Sequence, residues 1–213
     1  MKIALIGATG FIGSKLLQEA LDRGHQVSAL VQHIDKLPHH ERLTPVAADV
    51  QNADALATQL AGHDAVISAF SGHAQGEKVF DYFLAGVKAI IAATKQAGVP
   101  RLLMVGGAGS LEVAPGVQLL DTPEFPAQWK GTAEGARQAL NLLRQEQTLA
   151  WTMLSPAAMI APGERTGRFR LGGDQLVVDA QGNSNISVED YAVALLDELE
   201  TPQHTGARFT LGY

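Results

Sequence analysis

Cysteine is absent from the 213 residues of the sequence, and basic residues are few. The missing thiols exclude a disulfide framework, a thiolate zinc site, an iron–sulfur cluster and a cysteine nucleophile. The 16 Lys and Arg residues stand against 22 Asp and Glu, which leaves a formal net charge of −6. Because nucleic-acid phosphates are bound by clustered positive charge, this balance argues against a nucleic-acid partner. The seven histidines show no helical ligand spacing, so we expect no metal site.

Long hydrophobic runs are also absent. The most apolar stretches, residues 3–13 and 85–93, are shorter than the roughly 20 residues that a membrane-spanning helix needs. The first stretch has three regularly spaced glycines and a helix pattern after it, which favours a folded element over a signal peptide. We therefore expect a cytoplasmic protein that makes no membrane contact.

Strand and helix patterns alternate along the whole chain, in which 46% of the residues are apolar. Strands are predicted at residues 3–6, 26–31, 43–47, 65–68, 101–105, 151–154 and 208–211, with shorter ones at 176–178 and at Ile186. The first helix is predicted to begin at Ile12 and to end at Gly24, and two others are predicted at residues 77–96 and 132–145. Asn52 is predicted to cap a helix that extends to residue 60. Ser187, with Asp190 as its capping-box partner, is predicted to cap one that extends to residue 199. Residues 106–128 are predicted as a long Gly- and Pro-rich loop.

This alternation predicts an α/β fold with right-handed βαβ units. We expect a doubly wound parallel sheet of the Rossmann type, covered by helices on both faces, with a small irregular C-terminal portion. Residues 1–213 are expected to form one domain.

Three glycines follow the first predicted strand and open the first predicted helix. Gly7 lets the chain turn sharply, Gly10 lets backbone N–H groups approach a pyrophosphate, and Gly13 lets the helix pack closely on the strand. The helix N-terminus then directs N–H groups at the phosphates. A simple tight turn is the alternative, but the strand before and the helix after favour dinucleotide binding. The predicted contacts in this loop are Gly7, Thr9, Gly10, Phe11 and Ile12.

The GxxGxxG spacing resembles the short-chain dehydrogenase/reductase superfamily in its extended and atypical branches. Other stretches share the resemblance: VISAF at residues 66–70, GGAGS at 106–110, SPAAMIAPGERTG at 155–167 and ISVEDYA at 186–192. The last two are similar to the NAD(P)H-binding family that includes NADH-flavin reductases and is akin to biliverdin reductase B and the NmrA-like proteins. The resemblance covers nearly the whole chain. It implies that Ala69, Phe70, Gly106, Gly107 and Pro156 also border the dinucleotide.

The end of the second strand bears on which dinucleotide is bound. NAD enzymes usually carry an Asp or Glu there, whereas this sequence has Gln32 and His33. The missing carboxylate permits a 2′-phosphate, and Gln32, His33 and Lys36 could donate to it, so NADP(H) is slightly favoured over NAD(H). The alternative is that these three are solvated loop residues. Relatives often carry Arg at the position of Gln32, which weakens that preference here. Asp49 and Val50 resemble the pair that contacts adenine, although an Asp at this place could equally cap the next helix.

The Tyr-x-x-x-Lys pair of carbonyl-reducing superfamily members is missing. Pro126 stands four residues before Lys130, which by itself is typical of a solvated residue at a helix start. Hydride transfer to a flavin or quinone needs no such acid, because the acceptor takes hydride directly and a proton can come from water. We therefore predict an NAD(P)H-dependent reductase of a flat acceptor, with FMN or another flavin as a possible substrate. The alternative is a non-catalytic NmrA-like sensor of cofactor redox state.

A few residues are candidates for contact with the acceptor. The resemblance aligns Ser110 with a superfamily serine that hydrogen-bonds substrate or nicotinamide, and we predict it as the catalytic residue; a turn serine is the alternative. Phe125 and Trp129 are candidate walls, and His73 is a candidate proton donor. Arg165 and Arg168 could clamp a phosphate, or Glu164 and Arg165 could simply pin the loop. The protein is expected as a monomer or homodimer.

Overall fold

The computed structural model describes residues 1–72, Gly76 and residues 78–213. Its strands are β1 (Lys2–Ile6), β2 (Gln26–Val31), β3 (Leu43–Ala47), β4 (Ala65–Ser68), β5 (Arg101–Val105), β6 (Glu112–Ala114), β7 (Val117–Gln118), β8 (Ala150–Ser155), β9 (Met159–Ala161), β10 (Arg170–Gly172), β11 (Asn185–Ser187) and β12 (Ala207–Gly212). Its helices are α1 (Phe11–Asp22), α2 (Ala53–Leu60), α3 (Val79–Gln96), α4 (Lys130–Arg144) and α5 (Val188–Glu200).

The main sheet has eight strands in the order β10-β12-β8-β5-β4-β1-β2-β3. All neighbours pair in parallel except the edge strand β10, which runs antiparallel to β12. The chain builds outward from β1 in both directions, through β2 and β3 on one side and through β4 and β5 on the other. The predicted doubly wound parallel sheet is therefore confirmed, and its strand order reverses between β1 and β4. Ligands bind at such a reversal, outside the carboxyl ends of the strands.

Helices cover both faces of the sheet, because the strands carry apolar side chains on both. In β1, Ile3 and Leu5 join the core under α1 and α5, whereas Ala4 and Ile6 join the core under α2, α3 and α4. All four residues are buried, since successive side chains of a strand point to opposite faces. The continuous apolar run that predicted this strand thus reflects its central place in the sheet.

The helix caps follow the sequence signals with one difference. Gly24 ends α1 in the left-handed region at φ +83°, and the Asn52 Oδ1 atom accepts the Ala55 N–H at 3.1 Å. Ser187 Oγ accepts the Asp190 N–H at 3.0 Å, so the cap of α5 is confirmed. The pairing of Ser187 with Asp190 holds in this one direction, because the Ser187 N–H donates to the hydroxyl of Tyr213 at 3.2 Å and not to the Asp190 carboxylate.

The C-terminal third differs most from the expected local structure. The strand predicted at residues 176–178 is wrong, because these residues belong to no strand. The Val177 side chain instead packs on Gly172 of β10 and Gly212 of β12. Residues 106–128 are more ordered than a loop, since β6 and β7 pair there as an antiparallel hairpin. The helix predicted at 77–96 begins at Val79, with Glu77 outside the described residues, and the one predicted at 132–145 begins earlier, at Lys130.

Within the part of the chain that the structure describes, no helix is both long and apolar enough to cross a membrane.

Candidate functional site

A cleft of about 210 Å³ lies at the strand reversal, between the carboxyl ends of β1, β2 and β4. The cleft brings together residues from the glycine loop, from the end of β2, from the segment after β3 and from the end of β4. Its described lining residues are Ile6, Gly7, Thr9, Gly10, Leu30, Val31, Gln32, His33, Lys36, Ala48, Val50, Ala69, Phe70, Ser71, Gly72 and Tyr82. Eight of the residues predicted as cofactor contacts are among them: Gly7, Thr9, Gly10, Gln32, His33, Val50, Ala69 and Phe70.

Two of the three loop glycines are required by the fold. Gly7 adopts φ +81°, where side chains are strained, and a Cβ atom there would lie 2.6 Å from the Ala69 carbonyl oxygen. Its N–H donates to the Leu30 carbonyl oxygen at 3.0 Å, which ties the loop to β2. A Cβ atom on Gly13 would lie 2.0 Å from the Gly7 carbonyl oxygen. The sequence therefore needs glycine at both positions for the turn and the close helix.

Gly10 is different, because its backbone conformation by itself does not demand a glycine. Its backbone has φ −77° and ψ 173°, which any residue adopts, and a Cβ atom would lie 3.3 Å from the Gly7 carbonyl oxygen. Gly10 is exposed and lines the cleft at the start of α1. Among the described residues, no side chain caps α1 and no acidic residue lies in its first turn. The first-turn N–H groups of α1 are therefore available to an anion that approaches Gly10 closely.

The end of β2 gives the cleft its polar wall. Gln32, His33 and Lys36 are exposed and line the cleft together. Among its described lining residues there is one permanent cation, Lys36, and no carboxylate. Such a wall presents hydrogen-bond donors to a ligand and places no negative charge against an anion.

The opposite wall is apolar and aromatic. The ring of Phe70 stacks on the ring of Phe83, with the centroids 5.8 Å apart, and it tilts against Tyr82 at 5.6 Å. A Cβ atom on Gly86 of α3 would lie 2.3 Å from the Phe70 ring, so this glycine makes room for the ring. Val50 is buried beside them. Val50, Phe70 and Tyr82 therefore give the cleft apolar and aromatic surface, of the kind that packs against a planar ring.

Asp49 lies next to the cleft but outside its described lining, as do Phe11 and Ile12 of the first turn of α1. The Asp49 side chain accepts the Gln51 N–H at 3.0 Å. The cap of α2 comes from Asn52, so the alternative role of Asp49 as the helix cap is wrong. The Phe11 side chain is 51% exposed at the mouth of the glycine loop.

The remaining predicted contacts lie at the carboxyl ends of β5 and β8 and are not among the described lining residues of the cleft. A Cβ atom on Gly106 would lie 2.8 Å from the Met153 side chain, and one on Gly107 would lie 2.9 Å from Ala136. Both glycines thus allow close packing where β5 ends. Pro156 is buried directly after β8.

Ser110 is 3% exposed, and its hydroxyl is engaged by Arg208. The Arg208 guanidinium donates to Ser110 Oγ at 3.2 Å, to the Ser110 carbonyl oxygen at 3.3 Å and to Ser155 Oγ at 3.3 Å. Asp174 pairs with the same guanidinium. This buried arginine holds the segment after β5 against β8 and β12, and the sequence offered no local signal for it. The catalytic role of Ser110 stays a prediction.

The three tyrosines differ in what their hydroxyls can do. Tyr191 is fully buried and donates to the Leu154 carbonyl oxygen at 2.7 Å, and burial holds the pKa of this phenol well above its ordinary value. The Tyr213 hydroxyl donates to Asp190 at 2.8 Å, and burial likewise raises its pKa. Both hydroxyls therefore serve the fold, whereas Tyr82 lines the cleft.

Arg165 binds Glu19 of α1 through two hydrogen bonds of 2.8 Å. Arg23 donates to the same carboxylate at 2.8 Å. The hydrogen bond from Arg165 is the main reason why the pKa of Glu19 lies below its ordinary value. Of the two alternatives for Arg165, the loop-pinning one is the arrangement observed, with Glu19 as the partner.

A second, larger cavity of about 610 Å³, broadly open to solvent, lies where α3 and α4 begin, and sequence reasoning missed it. Its described lining residues are Phe80, Leu120, Asp121, Lys130, Gly131, Glu134 and Arg137. Phe125 and Trp129, the candidate walls, are not among them, although Trp129 directly precedes α4 and is 52% exposed. Lys130 begins α4, as expected of a residue at a helix start, and also lines the cavity.

Two further predictions concern metal binding and the proton donor. Among the residues that the structure describes, no group of three or more His, Asp or Glu side chains is placed to hold a metal ion. His73 lies outside the described residues.

Comparisons with known proteins identify the family and the fold. The family model described as NAD(P)H-binding matches residues 7–202. A Bacteroides thetaiotaomicron structure provisionally named an epimerase is 48% identical, with a TM-score of 0.94 over 100% of this chain and 96% of that one. A Burkholderia pseudomallei structure provisionally named an exported protein is 47% identical, with a TM-score of 0.89 over 100% of both chains.

A third structure, from Streptococcus pneumoniae, is provisionally named an NADH-flavin reductase. It is 36% identical, with a TM-score of 0.85 over 100% of this chain and 99% of that one. The three names differ in activity and location, whereas the fold extends over the whole of this chain in each case.

Proposed function

The chain belongs to the NAD(P)H-binding family, and we propose that it is a reductase that transfers hydride from NADPH to a flavin, quinone or similar flat acceptor. The observation that carries this proposal is the cleft at the strand reversal, in which Gly10 opens the start of α1. The name of the Streptococcus pneumoniae relative supports the choice of a flavin.

Backbone N–H groups, and the absence of a side chain at Gly10, would let the cleft accept the dinucleotide. Gly10 presents no side chain, and its backbone conformation does not require glycine, so we attribute its identity to contact with a ligand together with the nearby Gly7 carbonyl oxygen. The N–H groups of the first turn of α1 would hold the pyrophosphate. Val50 and Phe70 offer an apolar place for the adenine, with Asp49 at its edge. When bound, the dinucleotide supplies the hydride.

The preference for NADPH rests on the polar wall. Gln32, His33 and Lys36 would donate hydrogen bonds to a 2′-phosphate, and the described lining of the cleft holds no carboxylate to repel it. An NAD-specific cleft of this fold usually has a carboxylate at the end of β2 for the ribose hydroxyls.

A flat acceptor is proposed because the chain offers little to a reaction that needs a strong proton donor. The hydroxyls of Tyr191 and Tyr213 are engaged within the fold, and no Lys follows Tyr82 by four residues. Transfer to a flavin or quinone requires only that two flat rings are held in contact and that water is excluded. We propose that Gly106, Gly107 and Pro156 border this contact, and that Ser110 hydrogen-bonds the acceptor or the nicotinamide amide.

The test is steady-state oxidation of NADPH and NADH by the full chain with FMN, riboflavin and a panel of quinones. The proposal expects turnover with at least one flavin or quinone, and a lower KM for NADPH than for NADH. Tight cofactor binding without turnover of any acceptor would contradict it and favour the sensor function. We propose a cytoplasmic monomer or homodimer as the working form, to be checked by fractionation and by light scattering.

A further inference from the structure

Arg208 is a buried arginine that joins three segments of the chain which are far apart in the sequence. Its side chain is 2% exposed. The guanidinium donates to Ser110 Oγ, to the Ser110 carbonyl oxygen and to Ser155 Oγ, at 3.2 to 3.3 Å. The Arg208 Nε atom also donates to the Asp174 carboxylate at 2.6 Å. One planar group therefore holds the turn after β5, the last residue of β8 and the segment that contains Asp174.

This arrangement is a costly way to pack the end of a sheet. Burial lowers the pKa of the Arg208 guanidinium, and the hydrogen bond to Asp174 opposes that shift. Asp174 itself is half-exposed and also binds Arg144, at 3.1 Å. Because a well-packed apolar side chain is often as stabilising as a buried ion pair, stability alone does not account for an arginine here. A guanidinium differs from an apolar side chain in its rigid fork of donors, which fixes several acceptors relative to one another.

The acceptors of Arg208 lie against the residues proposed to border the hydride contact. A Cβ atom on Gly106 would lie 3.0 Å from Ser155 Oγ, so Ser155 stands between Arg208 and Gly106. Ser155 directly precedes Pro156, and Ser110 closes the turn that Gly106 opens. Arg208 therefore sets the separation between the turn after β5 and the end of β8.

The nicotinamide half of a dinucleotide would lie at that separation. The cleft between β2, β1 and β4 holds about 210 Å³, less than the roughly 300–1,000 Å³ of a whole small-molecule site. In this fold type a dinucleotide crosses the strand reversal, with one nucleotide on each side. The polar wall and Val50 occupy the β2 side, so the second nucleotide would extend past β4 to the ends of β5 and β8, which are next in the sheet.

We propose that Arg208 is a positioning residue for the nicotinamide half of the dinucleotide, because it holds the turn after β5 and the end of β8 at the separation that the nicotinamide ring requires. The inference rests on the proposed function, which places the ring beside Gly106, Gly107 and Pro156. It deepens that function by assigning a role to a buried residue that acts through Ser110 and Ser155 and does not itself touch the dinucleotide.

The experiment titrates the full chain with NADPH and with 2′,5′-ADP in a calorimeter. The second ligand keeps the adenine and the 2′-phosphate of NADPH but lacks the nicotinamide half. Arg208→Lys keeps the charge, but a single ammonium cannot hold both serine hydroxyls and the Ser110 carbonyl oxygen. We expect the dissociation constant of NADPH to rise about tenfold and that of 2′,5′-ADP to change less than about twofold. Arg144→Lys, which changes the other partner of Asp174, is the matched control and should leave both constants unchanged.

Ser155→Ala tests the same link with Arg208 in place, and it decides the question if Arg208→Lys does not fold. This change removes the hydroxyl that stands between Arg208 and Gly106. The dissociation constant of NADPH should rise about threefold, again without a matching change for 2′,5′-ADP. Thermal unfolding of each variant shows that the protein titrated is folded.

A folded Arg208→Lys protein that binds NADPH as tightly as the unmodified chain, or that loses affinity equally for both ligands, would overturn the inference and assign Arg208 to the fold alone. Turnover of the unmodified chain with flavins and quinones is measured in parallel, since it reports on the proposed function. Turnover combined with an equal effect on both ligands would defeat this inference and leave the reductase function standing. A selective loss of NADPH binding in a chain that reduces no flavin or quinone would do the reverse.

Discussion

Gly13 lies so close to Gly7 that a Cβ atom on Gly13 would stand 2.0 Å from the Gly7 carbonyl oxygen. This contact seats α1 directly on the end of β1 and places the start of the helix at the cleft, which Gly10 lines. Gly10 lies between the two residues in a conformation open to any residue. The three glycines of one motif therefore have separable purposes, two for the fold and one for the ligand.

Replacing Gly10 tests this separation. We expect Gly10→Val to weaken NADPH binding by about fiftyfold or more, because its side chain would occupy the space needed by the pyrophosphate. The unfolding midpoint should fall far less than in Gly13→Ala, because the Gly10 backbone conformation suits any residue and its Cβ atom would lie 3.3 Å from the Gly7 carbonyl oxygen rather than 2.0 Å. The measurements are calorimetric titration with NADPH and thermal unfolding.

Gly13→Ala is the matched control for that experiment. Its Cβ atom would overlap the Gly7 carbonyl oxygen, so we expect a loss of about 3 kcal/mol in the free energy of unfolding. A stable Gly10→Val protein that binds NADPH as tightly as the unmodified chain would show that the dinucleotide lies elsewhere.

Much of this fold could be predicted because its signals are local. The four apolar residues after Lys2 predict a central strand, and the glycine spacing predicts the turn that follows it. Asn52 and Ser187 predict helix starts because a cap bonds an N–H only three residues away. The cleft follows from these elements, since the ends of parallel strands meet at one edge of the sheet.

The contacts that local signals could not predict join residues far apart in the sequence. Arg208 reaches Ser110 across 98 residues, and Arg165 reaches Glu19 across 146. The ion pair of Arg137 with Asp121 likewise joins two separate elements, and no periodicity indicates it. Such pairings depend on how the sheet brings loops together, so they become visible only in three dimensions.

Changing the end of β2 should change the choice of dinucleotide. We expect the unmodified chain to bind NADPH about fivefold more tightly than NADH, and Gln32→Asp to reverse that order, because a carboxylate repels the 2′-phosphate and binds the ribose hydroxyls. Gln26→Asp, at the other end of β2 and outside the described lining of the cleft, is the control. A preference for NADH in the unmodified chain would refute the role given to the polar wall.

Glu19 should make a stability contribution that depends on pH. Because its pKa is lowered in the folded chain, the contribution is present above the ordinary value near 4.5 and is lost as the pH falls through the lowered pKa. We expect Glu19→Gln to cost about 2 kcal/mol at neutral pH, through weaker bonds to Arg23 and Arg165. The free energy of unfolding, measured with urea from pH 7 to pH 3, should fall less steeply with decreasing pH in the variant than in the unmodified chain. Parallel pH dependences of the two proteins would contradict the assignment.

Measuring both kcat/KM and the free energy of unfolding distinguishes a chemical role of Ser110 from a structural one. If its hydroxyl contacts the acceptor or nicotinamide, Ser110→Ala should lower kcat/KM about tenfold, the equivalent of one lost hydrogen bond. The same variant also loses a bond to Arg208, so its free energy of unfolding should fall by about 1 kcal/mol. A fall in stability with an unchanged kcat/KM would assign Ser110 to the fold alone.

The most direct test of the central claim is an anaerobic single turnover. The chain is loaded with one equivalent of NADPH and mixed with one equivalent of FMN, and the absorbance of both molecules is followed in time. The account predicts that the flavin is bleached as the NADPH absorbance disappears, with one NADPH consumed for each flavin reduced, and that Gly10→Val abolishes the reaction. Tight binding of NADPH with no bleaching of FMN, riboflavin or any quinone would contradict the account.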